Sequence, residues 1–314
     1  MENKEKNFVS AVIYVHNAAD RIDSFLSAII HTLEDNFEHS EIICVNDFSN
    51  DNSAEVIKKA SNKAVSTNVS ILNMSYFHGL ETAMNAGRDL AIGDFVFEFD
   101  HSVMDFDVSE VMNIYFKSLK EGYDIVSASP DRKARFSSRL FYNVFNRLTD
   151  LSYDMEEENF RVLSRRVINR IDSVNKTIYY RKVAYAVSGL KSTIVKYTPI
   201  GNASAEREDK HEKRFRRELA INSLILFTNI GYKFSFSMTI LMVMLSAFMS
   251  IYTLIVYITM KPVAGWTTTI LFLSVAFFGL FGILTIVIKY LQLLVDLVAK
   301  KKHYSFESIV KLTK

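Results

Sequence analysis

The chain is 314 residues long, 49% apolar and 23% charged, with a formal net charge of +2. That balance makes no case for a nucleic-acid partner, and none is expected. Cys44 is the single cysteine, so an intrachain disulfide is excluded, in keeping with a reducing compartment.

Phe8–Val15 is a β-branched apolar run and reads as a buried strand. Asp20–Asn36 has helical spacing, with Ile22, Phe25, Leu26, Ile29, Ile30 and Leu33 on one face. Glu41–Val45 and Val69–Met74 read as strands, with a helix over Ser53–Ala64 between them. A helix over about Leu80–Ile92, a strand over Asp94–Phe99, a helix over Val108–Glu121 and a strand over Tyr123–Ala128 follow. Strands alternating with helices at this spacing predict an α/β fold with a parallel, doubly wound sheet. Such sheets take ligands at the carboxyl ends of their strands.

Past residue 130 the pattern loosens. Arg132–Leu151 reads as an amphipathic helix, Phe160–Leu163 as a short strand, Arg165–Ile171 as a short helix and Ile194–Thr198 as a last strand before Pro199. Ala203–Ile230 begins charged and becomes apolar; it reads as an interfacial helix, the alternative being a solvated one. Phe234–Met260 and Pro262–Ile288 carry no charged side chain. Each is long enough to cross a hydrocarbon layer of about 30 Å as a helix. Lys210, Lys213, Arg214, Arg216 and Arg217 precede the first run and Lys300, Lys301 and Lys302 follow the second, while the connector holds only Lys261. The positive-inside rule then puts both flanks in the cytoplasm. The expected division is a cytosolic domain over 1–202, a juxtamembrane helix over 203–233, a two-helix transmembrane hairpin over 234–298 and a basic cytosolic tail over 299–314. MENKEKNF holds no apolar signal region, so the hairpin is expected to direct insertion into the inner or plasma membrane. Packing of these helices between protomers, giving a homo-oligomer, is left open.

The strand ends carry the chemistry. The first strand ends in Tyr14-Val15-His16-Asn17, and the second runs from Val45 through Asn46-Asp47-Phe48-Ser49-Asn50-Asp51-Asn52 to Ser53. The fourth leads through Glu98-Phe99-Asp100 into His101-Ser102. Val45–Ser53 keeps the register of a V-D-D-G-S-x-D-x-S/T pattern. Ala83–Asp94 follows A-x-x-A-G-x-x-x-A-x-G-D, and Phe160-Arg161-Val162-Leu163-Ser164-Arg165-Arg166 is similar to F-R-L-x-S-R-R. In these elements the chain resembles family-2 glycosyltransferases of the GT-A (Rossmann-like) fold. It is most similar to the membrane-anchored polyprenyl-phosphate type, such as dolichol-phosphate mannose synthase and the bactoprenol glucosyltransferases. The resemblance covers nearly the whole chain.

The resemblance implies a nucleotide-sugar donor held by Asn17, Asp47, Ser49, Asp51 and Asp100, with Asp100 also the ligand of a divalent Mg or Mn ion. It implies phosphate binding by Arg161. Arg132, Lys133 and Arg135 follow the fifth strand, where basic side chains suit a diphosphate or a lipid phosphate. A solvated helix start is the alternative for that cluster, and a salt bridge to Glu156–Glu158 the alternative for Arg161. Asp100 and Arg161 are the expected catalytic pair, electrostatic stabilisation of the leaving diphosphate being the main effect.

The chain departs from the pattern within the site. Tyr14 replaces a proline and Ala18 an acidic residue. Asn46 replaces the first aspartate of the second-strand pair, and Phe48 its glycine. Tyr76-Phe77 replaces an arginine–asparagine pair. The D-x-D metal motif reads Asp100-His101-Ser102, with Met104 at a further metal-side position, and Asn159 replaces the aspartate before the F-R-L element. A divalent cation wants several hard oxygen ligands, so Asp100 and Ser102 alone would hold it weakly. Asp105 or Asp107 could substitute, or His16, His78 and His101 could favour a softer metal. Asn159 cannot serve as a base, but a phosphate acceptor is ionised near pH 7 and needs little base catalysis. The expected activity is transfer of a sugar from a nucleotide diphosphate to a polyprenyl phosphate with inversion. The alternative is a catalytically degenerate scaffold subunit of a surface-glycan assembly machine.

Overall fold

The computed structural model describes residues 4–132, 155–174, 180–200 and 306–313 without interruption, and isolated positions within 139–147, 237–248 and 269–294. The chain divides into two compact units, Met1–Ala220 with Lys301–Lys314, and Ile221–Lys300.

The first unit is built on one eight-stranded sheet in the order β7-β5-β6-β4-β1-β2-β3-β8. Its strands are β1 (Val9–Val15), β2 (Ser40–Asn46), β3 (Asn68–Met74), β4 (Phe95–Phe99), β5 (Ile125–Pro130), β6 (Phe160–Ser164), β7 (Ser192–Tyr197) and β8 (Phe306–Lys311). The helices are α1 (Ile22–Asn36), α2 (Ser53–Ser61), α3 (Leu80–Leu90), α4 (Ser109–Glu121), α5 (Arg165–Val174) and α6 (Arg181–Val187). The elements expected up to residue 130 are present, with ends shifted by a few residues. The helix expected over Arg132–Leu151 falls mostly outside the described residues.

The sheet is mixed, not wholly parallel. β1, β2, β3 and β4 run parallel, whereas β6 is antiparallel to both β4 and β5, and β8 is antiparallel to β3. Hydrophobic period reports burial, not direction, so sequence spacing left that reversal unseen. Strand alternation splits the core between two faces. Val9, Ala11, Ile13 and Val15 pack with Phe25, Leu26, Ile29 and Leu33 of α1 and with Phe97, Phe99 and Ile114. On the opposite face Val12, Tyr14, Val45 and Val96 meet Ala83, Met84 and Ala86 of α3.

The Ala83–Asp94 motif has a packing explanation. A Cβ on Gly87 would stand 2.5 Å from both Val12 Cγ1 and Val45 Cγ2, so glycine lets α3 lie against β1 and β2. A Cβ on Gly93 would stand 2.6 Å from the Ser10 backbone nitrogen. Gly93 N–H donates to Ser10 Oγ at 2.8 Å, and the Asp94 carboxylate accepts from Phe8 N–H at 3.0 Å. Arg165 closes the same turn, donating through Nε to Gly93 O and through Nη2 to Ala91 O, each at 2.9 Å.

Residues 299–314 are more than a basic tail. Residues 306–311 form β8, which covers the β3 edge and satisfies backbone groups that an open edge would expose. Val69 N–H donates to Thr313 Oγ1 at 2.8 Å, and Asn73 Nδ2 donates to Ser308 Oγ at 3.0 Å.

The juxtamembrane segment 203–233 and most of the two apolar runs lie outside the described residues. Among the described residues no helix is long and apolar enough to cross a membrane. Within the second unit Leu273, Phe277, Leu280, Leu284, Val287, Leu291 and Leu294 are helical and exposed. A Cβ on Gly279 would lie 2.1 Å from Met242 Cε, so the two runs approach each other closely.

Gly93→Ala is expected to destabilise the full chain by about 1–3 kcal/mol, because the obstacle is Ser10 backbone and cannot swing aside. Denaturant unfolding of the full chain measures it, and an unchanged midpoint would refute the contact.

Candidate functional site

Glu98 and Arg161 are directly opposite each other on β4 and β6, so their side chains leave the sheet on the same face. Asp100 follows two residues after Glu98 and shares that face. All three are buried, Glu98 and Arg161 at 0% exposure. Arg161 Nη1 donates to Glu98 Oε2 at 2.8 Å and Nη2 to Asp100 Oδ2 at 2.7 Å, while Nε lies 3.4 Å from Glu158 Oε2.

A second guanidinium completes the cluster. Arg181 opens α6, an element that the sequence reading did not anticipate, and is also fully buried. Its Nη1 donates to Glu98 Oε2 and its Nη2 to Asp100 Oδ1, each at 2.8 Å; its Nε donates to Glu81 Oε2 of α3 at 3.0 Å. Lys182 Nζ donates to Glu158 O at 2.9 Å and stands 3.9 Å from Asp100 Oδ2. Tyr185 OH donates to Glu98 Oε1 at 2.8 Å, and Arg88 Nη1 donates to Tyr185 OH at 3.4 Å. Four carboxylates (Glu81, Glu98, Asp100 and Glu158) thus share the interior with Arg88, Arg161, Arg181 and Lys182. Burial by itself would raise the Asp100 carboxyl, but Arg161 and Arg181 overcome it and hold the group well below the usual carboxylate range. Glu98 is lowered in the same way, by Arg181 and then Arg161.

Asp47 is also buried and fully engaged. It accepts from His78 N–H at 2.9 Å, Gly79 N–H at 2.8 Å and Tyr14 OH at 3.1 Å, which fixes the start of α3 beside β1 and β2. Burial pushes its carboxyl up, against the pull of those donors. The loops after β1 and β2 are tied together. Asn17 N–H donates to Ser49 Oγ at 3.1 Å, Asn50 N–H to Asn17 Oδ1 at 2.9 Å, and Ala19 N–H to Asp51 Oδ2 at 3.0 Å. Asp51 also accepts from Ser53 N–H at 3.0 Å at the head of α2.

Two departures find a local reason. Phe48, where the resembling pattern has glycine, keeps the left-handed backbone (φ 54°) and leaves its ring 47% exposed. Asn46, where the pattern has aspartate, donates through Nδ2 to Asn73 Oδ1 at 2.9 Å, and Asn73 passes the chain on to Ser308 of β8. An aspartate could not make that donation.

The structure therefore places the expected residues in three groups. Asn17, Ser49 and Asp51 share one partly open loop pair. Asp47, Asp100 and Arg161 are buried, with their charged atoms on protein partners, and the Arg161–Glu158 salt bridge is present. Arg132 is the accessible phosphate candidate, its side chain 38% exposed and 3.4 Å from Glu157. Lys133 and Arg135 lie outside the described residues. The replacement ligands are also engaged. Asp105 accepts from Asn159 Nδ2 and Tyr197 OH, each at 3.0 Å, and Asp107 accepts from Ser109 N–H at 2.9 Å. His16, His78 and His101 do not form a metal site with Asp100, since no group of three or more His, Cys, Asp or Glu side chains among the described residues could hold a metal ion. Among the described residues the side chains at Asp100 do not fit the expected divalent ion. Arg181 and Lys182 were missed; their only signal was two adjacent cations directly before the apolar run Val183–Val187.

Residues 10–170 match the sequence profile of Glycosyl transferase family 2. An uncharacterized glycosyltransferase of Synechocystis is 29% identical over 197 residues, 60% of this chain and 59% of the relative. The uncharacterized glycosyltransferase YkcC of Bacillus subtilis is 23% identical over 268 residues, 83% of this chain and 81% of the relative. An undecaprenyl-phosphate 4-deoxy-4-formamido-L-arabinose transferase of Edwardsiella ictaluri is 31% identical over 155 residues, 48% of this chain and 46% of the relative. The chain thus spans about half to four fifths of these relatives.

Removing one partner from a buried charge group costs about 3–5 kcal/mol. Arg181→Met is expected to destabilise by that order, and Arg181→Met with Glu81→Gln to recover part of the loss; denaturant unfolding of both checks it. Because Glu98 and Asp100 are lowered in the folded state, their stabilisation is present above about pH 4 and is lost as pH falls below it. Asp47 acts in the opposite sense. Melting temperature is expected to fall on acidification below about pH 4, less steeply in Asp100→Asn; parallel profiles would contradict the assignment.

Proposed function

The chain belongs to glycosyl transferase family 2 and is a glycosyltransferase, and from that premise we propose that it transfers a sugar from a nucleotide diphosphate to a polyprenyl phosphate at a membrane, with inversion. The observation that carries this reading is the family match across the whole run from β1 to α5, with the loop pair Asn17–Ser49–Asp51 intact at the sheet's carboxyl edge. The acceptor class is supported by the relative that acts on undecaprenyl phosphate and by the two uncharged runs.

A phosphate oxygen of the lipid attacks the anomeric carbon. The bond from that carbon to the diphosphate oxygen breaks, and the nucleoside diphosphate leaves with the electron pair. The acceptor is already anionic near neutral pH, so no carboxylate has to accept a proton. Asn159 at the base position is therefore compatible with this acceptor, and would not be with a sugar hydroxyl. Asn17, Ser49 and Asp51 contact the donor in this reading. Asp47 holds α3 in place, Asp100 and Arg161 hold the floor of the site, and Arg132 meets phosphate. Lys133 and Arg135 are its sequence neighbours in the same role.

Three features support a membrane anchor in residues 221–300 with both flanks cytoplasmic. The exposed apolar positions from Leu273 to Leu294 recur every three or four residues along helical backbone, as a lipid-facing stripe would. Gly279 lets the two runs approach. β7 and β8 belong to one sheet, so a bilayer crossed between them is crossed an even number of times.

The full chain in detergent, given labelled UDP-, GDP- and CDP-sugars with a polyprenyl phosphate, is expected to move label into the lipid fraction from one of them. Arg132→Ala is expected to lower transfer about tenfold or more. Failure of all donors would refute the reading. For the anchor, Lys261→Cys is expected to react with an impermeant maleimide from the non-cytoplasmic side of intact cells. Cys44 contributes no background, because burial pushes its thiol up to about 12. Labelling only after lysis would overturn the hairpin.

A further inference from the structure

We infer that this enzyme binds its diphosphate donor without a divalent cation, because Asp100, the carboxylate that would hold the ion, is occupied by Arg161 and Arg181 with Lys182 beside it. This rests on the donor reading above.

The argument starts from lone pairs. A hard divalent cation needs several oxygens free to approach at about 2.0–2.6 Å. Asp100 Oδ1 is taken by Arg181 Nη2 at 2.8 Å, and Oδ2 by Arg161 Nη2 at 2.7 Å with Lys182 Nζ 3.9 Å away. An ion seated on Asp100 would stand beside these three cations. Displacing the guanidiniums would leave Glu98 and Glu81 buried without their partners, which is costly. The neighbouring positions add nothing. Residue 102 is a buried serine and residue 104 a methionine. The carboxylates of Asp47, Asp51, Asp105 and Asp107 are each committed to protein donors.

Ser102 leaves the site one carboxylate short of a D-x-D pair, and Arg161, Arg181 and Lys182 already stand where an ion on Asp100 would have to sit. Lys182 is the member of the cluster nearest solvent, its side chain 10% exposed against 0% for both arginines.

The test uses the full chain in detergent with two independent readouts. UDP, GDP and CDP are titrated with and without EDTA. The nucleotide that binds is expected to keep its Kd within twofold in chelator, and a loss of tenfold or more would overturn the inference. Manganese alone is titrated while its electron paramagnetic resonance is recorded. The spectrum is expected to remain that of the free ion; about one bound ion per chain, lost in Asp100→Asn, would overturn the inference whatever the nucleotides do. If no nucleotide binds with or without chelator, the donor reading fails by itself and the manganese spectrum still decides the cation question.

Discussion

Burying Glu98 in the middle of β4 is the constraint from which the site follows. An isolated carboxylate there would be prohibitive, so the opposite strand supplies Arg161 and α6 supplies Arg181. Each arginine brings more donors than one carboxylate can use. Asp100 and Glu81 accept from the arginines, Glu158 lies 3.4 Å from Arg161 Nε, and the charges close on themselves. α3, β4, β6 and α6 are held in one arrangement by a group of ions none of which can be released singly. Such a group is weak evidence of net stability; what it fixes is the relative placement of four elements beneath the sheet's carboxyl edge.

Around that floor the loops are set by simpler devices. Asp47 accepts from the N–H groups of His78 and Gly79 just before α3; Asp51 accepts from Ser53 N–H at the head of α2 and from Ala19 N–H, and Ser53 Oγ accepts from Ala18 N–H in the loop after β1. Gly87 and Gly93 let α3 and its exit turn lie against β1. Motif residues that would pass for ligand contacts thus help build the frame, while Phe48, Asp51 and Arg132 are exposed and Asn17 and Ser49 partly so.

The parallel half of the sheet was legible because each strand is a short β-branched or aromatic run and each helix a one-sided apolar pattern, as in Phe8–Val15 and Asp20–Asn36. The glycine motif at 83–94 was legible because close packing leaves no alternative residue. Opposite charges within buried runs, Glu98 in Phe-Val-Phe-Glu-Phe and Arg161 in Phe-Arg-Val-Leu, hinted at a pair. β6 reversing direction and β8 returning from residue 306 were not legible, since nothing local encodes which edge a strand joins.

Local pattern and motif spacing by themselves determined the α/β fold and its family, because periodicity and glycine packing are short-range properties. Tertiary structure alone decided which way the charged side chains turn. Asp100 looks like a ligand when read along the chain. Arg181, 81 residues away, is what takes its lone pair, and a contact over that separation is written in no local segment.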